Sequence, residues 1–331
     1  MVMAQSLFMR LKQLDPTVQL DALAPGWSLP LLACMPQIAA GLEIDVGHGE
    51  LALRRRRRIA AELATRGYDQ AIILPNSLKS ALIPYWAGIP RRTGWLGELR
   101  LGLLNDPRRL DKQRLPQMVQ RFVALASSDS QLPDELPLPQ LHPAPGAAAT
   151  ALDELGLKPP QRPLLALAPG AEYGAAKRWP IHHFAALAER WQAHGGAVWL
   201  LGSSRDRATC QALNRALGDS ANDLSGRTSL QQVVALLSLA QGVVCNDSGV
   251  MHIAAALGRP LVAIYGASDP HFTPPLTPHS RILALTLPCR PCFQRKCPLH
   301  TYACLEQLGV EQVWQALHDL QLMENMTHDP K

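Results

Sequence analysis

Apolar positions along the chain fall into two kinds of run that alternate. Short unbroken aliphatic stretches give way to longer ones in which apolar residues return every three or four positions, the pattern of parallel strands packed between helices. In the first half, residues 18–23 and 71–74 predict buried strands, and 2–14, 53–66, 78–87 and 115–126 predict helices. In the second half, 164–168, 197–201, 242–245 and 261–265 predict strands; 181–194, 206–217, 230–241, 250–257 and 310–320 predict helices. Residues 128–150 are rich in Pro and Ala and lack helical periodicity, so they predict a connection between two α/β domains, 1–150 and 151–331. Two doubly wound halves would bind ligand in a cleft at the carboxyl ends of their strands. A doubly wound domain ordinarily opens on a strand, whereas this chain opens on a helix.

Composition narrows the class. Of 331 residues, 47% are hydrophobic and 18% charged, which excludes global disorder. The net charge of +5 equals one run, Arg54, Arg55, Arg56, Arg57 and Arg58, and the rest of the chain is formally neutral. No uniformly basic surface for nucleic acid is implied. No stretch approaches the roughly 18 consecutive apolar residues of a membrane span, and the first residues have neither the basic nor the apolar region of a secretory signal. Seven cysteines, four clustered late, are unlike a secreted disulfide framework. The expectation is a soluble, cytoplasmic protein.

Three segments carry candidate chemistry in the second half. In GVVCNDSGVMH, a predicted strand runs into Asn246-Asp247 and a helix opens at Ser248-Gly249 with His252 one turn in. Free N–H groups at such a start bind anions, and Asp247 could accept from sugar hydroxyls; equally, Asp247 or Ser248 could cap the helix and His252 be structural. In APGAEYGAAKRWP, Gly170 and Gly174 let a loop pass close to a phosphate, and Lys177 and Arg178 supply charge. A third polar loop holds Ser203 and Asp206. Together they suggest a nucleotide diphosphate site, though neither GxGxxG nor GK[ST] occurs, which weighs against a nicotinamide oxidoreductase. In the first half, Asn76, Ser77 and Lys79, then Arg91, Arg92, Arg100, Asn105 and Asp106, are candidates for an anionic acceptor. Cys289, Cys292, Cys297 and Cys304, four thiols over 16 residues, favour a structural metal, zinc first, over disulfides.

The segments PNSLKSALIPYWAGIPRRTGW, PGAEYGAAKRWP and CNDSGVMHIAAALGRPLVAIYGASDPHFTPP resemble the ADP-heptose:lipopolysaccharide heptosyltransferases, glycosyltransferase family nine. The resemblance implies a GT-B fold, two Rossmann-like domains facing a central cleft, the first binding acceptor and the second ADP-heptose. It implies an inverting transfer of L-glycero-D-manno-heptose from ADP-heptose in lipopolysaccharide core biosynthesis. No cofactor is required for that catalysis, and the location implied is the cytoplasmic face of the inner membrane. The segment 75–95 favours members whose acceptor is Kdo-lipid A already carrying one heptose; a member with another acceptor, or a non-catalytic ADP-sugar binder, is the alternative. Carried over by motif, Asp247, Ser248, Gly249 and His252 meet the donor sugar and diphosphate, Lys177 the donor phosphates, and Asp206 the nucleoside. Relatives open with a strand and a loop ending Gly-Asp, whose aspartate is the base; it would fall just before Met1, so the chain as written is expected to be impaired.

Overall fold

The computed structural model describes residues 1–47 and 49–327, the side chains of 322–327 excepted. The chain divides into two compact units, essentially residues 3–137 and 138–331.

In the first unit the elements run α1 (Gln5–Leu14), β1 (Asp21–Ala24), α2 (Leu29–Leu32), β2 (Ala40–Glu43), α3 (Leu53–Ala64), β3 (Gln70–Ile73), α4 (Leu78–Trp86), β4 (Arg91–Trp95), β5 (Asp106–Arg108) and α5 (Met118–Val123). β1 pairs with β2, and β3, β4 and β5 form a second sheet; every pairing is parallel. Small apolar clusters hold these layers, one built on Ile59, Ala60, Leu63 and Ile83 between α3 and α4. The strand expected at 18–23 begins only at Asp21, and the helix expected over 115–126 is α-helical only from Met118 to Val123. Pro116 lies just before that start, with no N–H to give.

The second unit runs α6 (Ala147–Leu155), β6 (Leu164–Ala168), α7 (Ile181–Ala193), β7 (Ala197–Leu200), α8 (Arg207–Ala216), β8 (Asn222–Asp223), α9 (Leu230–Leu237), β9 (Gly242–Asn246), α10 (Gly249–Ala256), β10 (Leu261–Ile264), β11 (Ser280–Leu283), α11 (Ala303–Glu306) and α12 (Val310–Thr327). Its six strands form one parallel sheet in the order β11-β10-β9-β6-β7-β8. β6, β9 and β10 are buried at every residue, because helices cover both faces of the sheet and no alternation is needed. The core gathers Leu165, Leu167, Phe184, Leu187, Val244 and Ile264 among others.

The segment 128–150 is not all connection. Leu141 is buried and its N–H donates to Ala256 O at 2.9 Å, and α6 already begins at Ala147 behind Gly146, whose φ is +78°. Three successive alanines open that helix and give its first turn little pattern to read. From β6 the chain steps outward to β7 and β8, and from β9 it steps the other way to β10 and β11. The strand order therefore reverses between β6 and β9, the place where open parallel sheets bind ligands.

Candidate functional site

The loops after β6 and β9 meet at that reversal. Lys177 Nζ lies 2.5 Å from Asp247 Oδ2, and Ser268 Oγ donates to the same oxygen at 2.6 Å. Both members of the ion pair are mostly shielded, and Lys177 also lies over the Tyr173 ring at 5.0 Å. Asn246 is fully buried and fixes the two loops to one another. Its Oδ1 accepts from Trp179 N at 2.9 Å, and its Nδ2 donates to Pro169 O at 2.8 Å and Gly170 O at 3.3 Å.

Asp247 is thus engaged by Lys177 and Ser268 rather than by a helix start. Ser248 stands at the N-cap position of α10 with no side-chain cap, and its Oγ is buried without a hydrogen-bond partner. A Cβ placed on Gly249 would meet nothing within 4 Å. The first turn of α10 follows directly on Asp247 and its lysine, an arrangement suited to a bound anion. His252 follows one turn in. Burial pushes it down to about 4 against the pull of Asp247, so it is neutral near pH 7.

The third loop behaves differently. Asp206 Oδ2 accepts from Ser203 N at 3.0 Å and from Ser203 Oγ at 2.7 Å, closing the turn ahead of α8. Its carboxyl also fills the space where a Cβ on Gly170 would sit. Ser203, Asp206 and Gly170 therefore come together, with the aspartate doing local work. A cavity of about 530 Å³ lies elsewhere, among Lys158, Arg162, Gln192, Gly196, Ser220 and Asn222, at the amino ends of β7 and β8. Sheets of this kind bind at the opposite ends.

The first-unit candidates are less gathered. Arg91 and Arg92 are neighbours on β4 and point to opposite faces. Arg91 pairs with Asp106 at 2.9 Å, while Arg92 donates to Leu103 O at 2.7 Å and Ile89 O at 2.6 Å. Both guanidinium groups are thus bonded within the unit. Asn105 likewise accepts from Arg92 N at 2.8 Å and donates to Pro90 O at 2.6 Å. Arg100, also expected on that surface, is fully buried and donates to Pro75 O at 2.7 Å and to Trp95 O. Ser77 is the N-cap of α4 without a side-chain bond; the carboxylate of Glu98 occupies that start, accepting from Leu78 N at 2.5 Å. Asn76 Oδ1 accepts from Arg100 at 3.4 Å, and Lys79 offers its carbonyl to Arg56 at 3.1 Å.

Among the described residues, His182, His183 and Glu306 bring three ligand atoms within 4.8 Å of one another. The two histidines sit on the first turn of α7, where the helix dipole opposes a cation, Glu306 comes from α11, and a His183 ring nitrogen is already bonded to Glu306 O at 3.0 Å. Cys289, Cys292, Cys297 and Cys304 are free thiols around one small cavity, not drawn to that spacing.

Comparison with known proteins decides what this arrangement belongs to. The family described as Glycosyltransferase family 9 (heptosyltransferase) matches residues 56–303. The chain belongs to glycosyltransferase family 9. Lipopolysaccharide heptosyltransferase 2 of Salmonella typhimurium is 45% identical over 86% of this chain and 84% of that protein. The Escherichia coli K12 protein of the same name is 43% identical over 86% and 84%. The solved E. coli ADP-heptose lps heptosyltransferase II matches 98% of this chain and 96% of its own, with a TM-score of 0.86 and 38% identity. E. coli heptosyltransferase WaaC, solved with ADP, is 20% identical with a TM-score of 0.71 over 96% and 95%, and shares the fold. This family-9 glycosyltransferase accordingly has the GT-B α/β fold.

The structure brings Lys177 and Asp247, both singled out in the sequence, together with Asn246 and Ser268, which were not. Asn246 had a readable signal, a buried polar residue ending an apolar strand. Ser268 had none, since it reaches Asp247 from 21 residues away.

Proposed function

We propose that the chain transfers L-glycero-D-manno-heptose from ADP-heptose to the first heptose of the lipopolysaccharide inner core. The observation that carries this is the Lys177–Asp247–Ser268 cluster beside the bare amino end of α10, at the strand reversal. Relatives that cover most of the chain bear the name heptosyltransferase 2. In this reading the ADP diphosphate lies over the first turn of α10, where its N–H groups and Lys177 stabilise the charge that develops as the glycosidic bond breaks. Asp247, held by Ser268 when Lys177 turns to the phosphate, accepts hydroxyls of the heptose. Gly249 leaves the backbone open to close approach, and neutral His252 flanks the sugar. Asp206 supports the nucleoside end through the Ser203 turn and Gly170.

The acceptor, Kdo-lipid A with one heptose, belongs to the first unit, with Asn76, Ser77 and Lys79 the residues nearest that role. A carboxylate deprotonates the acceptor hydroxyl from the face opposite the leaving group; none of this chain's residues is assigned to it. The acceptor is membrane-embedded, so we place the enzyme at the cytoplasmic face of the inner membrane, in passing contact with it. Among the described residues no helix is long and apolar enough to cross a membrane.

The decisive assay follows ADP release from ADP-heptose with two purified acceptors, Kdo-lipid A bearing one heptose and Kdo-lipid A bearing none. Release with the first acceptor alone is the expected result. Equal or preferential release with the heptose-free acceptor overturns the acceptor assignment, and release with neither overturns the activity.

A further inference from the structure

Between β11 and α11 the chain runs from residue 284 to residue 302 without a helix or strand. Irregular segments of that length inside a compact unit need something to hold them. Three cysteines lie on it, and a fourth, Cys304, lies just beyond on α11. Cys289, Cys292, Cys297 and Cys304, brought in from 16 residues of sequence, line a single cavity of about 20 Å³, large enough for an ion and too small for an organic ligand. The chain turns tightly around them. Phe293, directly after Cys292, has φ +52°, and His300, three residues after Cys297, has φ +57°.

The same segment is keyed into the loop after β6, which carries Lys177, and into the loop after β10, which carries Ser268. Ala176 N donates to Arg295 O at 3.2 Å, and the Tyr173 hydroxyl donates to Phe293 O at 2.5 Å. A Cβ on Gly174 would lie 2.4 Å from Arg295 O, so the glycine, with φ +149°, is required for this approach. On the other side, Phe293 N donates to Ala267 O at 2.9 Å, and Arg290 donates to Gly266 O at 2.5 Å and Ser268 O at 3.3 Å. Lys177 stands one residue beyond Ala176, and Ser268 is the Asp247 partner.

We propose that Cys289, Cys292, Cys297 and Cys304 hold one thiophilic divalent ion, Zn²⁺ for this ligand set, and that the ion braces the loops carrying Lys177 and Ser268. Four thiolates complete a tetrahedron and leave no open position, so the ion is structural. Drawing the sulfurs in to about 2.3 Å from zinc closes the cavity and fixes residues 290–295, and through them the donor loop. The bracing half of the proposal rests on the donor reading above; the metal site does not.

Purified under reducing conditions, the full chain should contain about one zinc per molecule, and the Cys292→Ser and Cys304→Ser chains much less. Replacement by Co²⁺ should give the visible absorption of tetrahedral thiolate cobalt. Stripping the intact chain with a chelator should weaken ADP binding by about tenfold or more, the scale on which supporting residues act at metal sites, and added Zn²⁺ should restore it. This route does not depend on whether the serine variants fold. A metal-free chain that gains no cobalt spectrum, or disulfides among the four cysteines by mass, overturns the site. Unchanged ADP affinity after stripping overturns the bracing. A zinc-loaded chain that never binds ADP counts against the donor reading and leaves the zinc content in support of the site.

Discussion

Lys177 and Asp247 form an ion pair with side chains only 18% and 7% exposed, so each charge depends on the other. Removing one partner of such a pair typically costs about 3–5 kcal/mol, because the remaining charge stays buried. Lys177→Met is therefore expected to lower thermal stability as well as transferase turnover. Lys177→Met combined with Asp247→Asn should regain much of the stability, since no unpaired charge remains, while turnover stays lost. Calorimetric melting of the single and double variants beside an ADP-release assay checks this, and additive stability losses would contradict it. Asp106 provides a pH-dependent counterpart in the first unit. Burial alone would raise its carboxyl, but hydrogen bonds from Arg108, Thr93 and Arg91 outweigh it and hold the group below its ordinary value. The unfolded chain binds that proton more readily. The stabilisation is thus complete above about pH 4, the unfolded carboxylate value, and is lost as pH falls through the lower folded value. Asp106→Asn should cost about 1–3 kcal/mol at neutral pH and flatten the acid limb of a stability–pH curve, as measured by urea unfolding.

Among the elements, β6, β9 and β10 were legible because LLALA, GVVCN and LVAI are uninterrupted runs buried on both faces. The strands β4 (RRTGW), β5 (DPR) and β8 (ND) have no such run. β5 and β8 lie at sheet edges, and β4 carries its polarity on arginines bound to carbonyls and to Asp106, so local pattern could not reveal them. The β9–α10 segment was readable for a related reason: a strand, a polar turn and a helix follow one another within a dozen residues. Partners supplied from a distance, Ser268 to Asp247 or Arg295 to Gly174, leave no local trace. Two glycines of this region separate packing from function. Gly249→Ala has room for its methyl group in the free chain and should keep the melting temperature while weakening ADP binding, as titration calorimetry would read. Gly174→Ala must push Arg295 away and should lower both; a Gly174→Ala chain with unchanged stability would refute the close approach.

For the whole molecule, the net charge of +5 is confined to one arginine run, and the fold disperses it. Arg56 is buried in α3, donating to Leu51 O at 2.7 Å and Lys79 O at 3.1 Å. Arg55 pairs with Glu50 at 3.7 Å, and Arg58 with Asp45 at 3.4 Å. Arg57 lies over Trp86 at 5.1 Å, its charge still facing outward, and Arg54 is exposed. One-dimensional counting therefore overstates what an anionic surface would meet, which explains why the run, prominent in the sequence, forms no common face. If the enzyme contacts anionic lipid through α3, Arg54 and Arg57 are the residues that carry the attraction. At about 1 kcal/mol for each cation near such a surface, Arg54→Ala with Arg57→Ala should weaken sedimentation with anionic vesicles by about 30-fold at low salt. The difference should shrink as salt shortens the screening length. Arg55→Ala, which removes an already paired cation, should have a smaller effect, and a larger loss from Arg55 than from the other two together would move the contact away from this face.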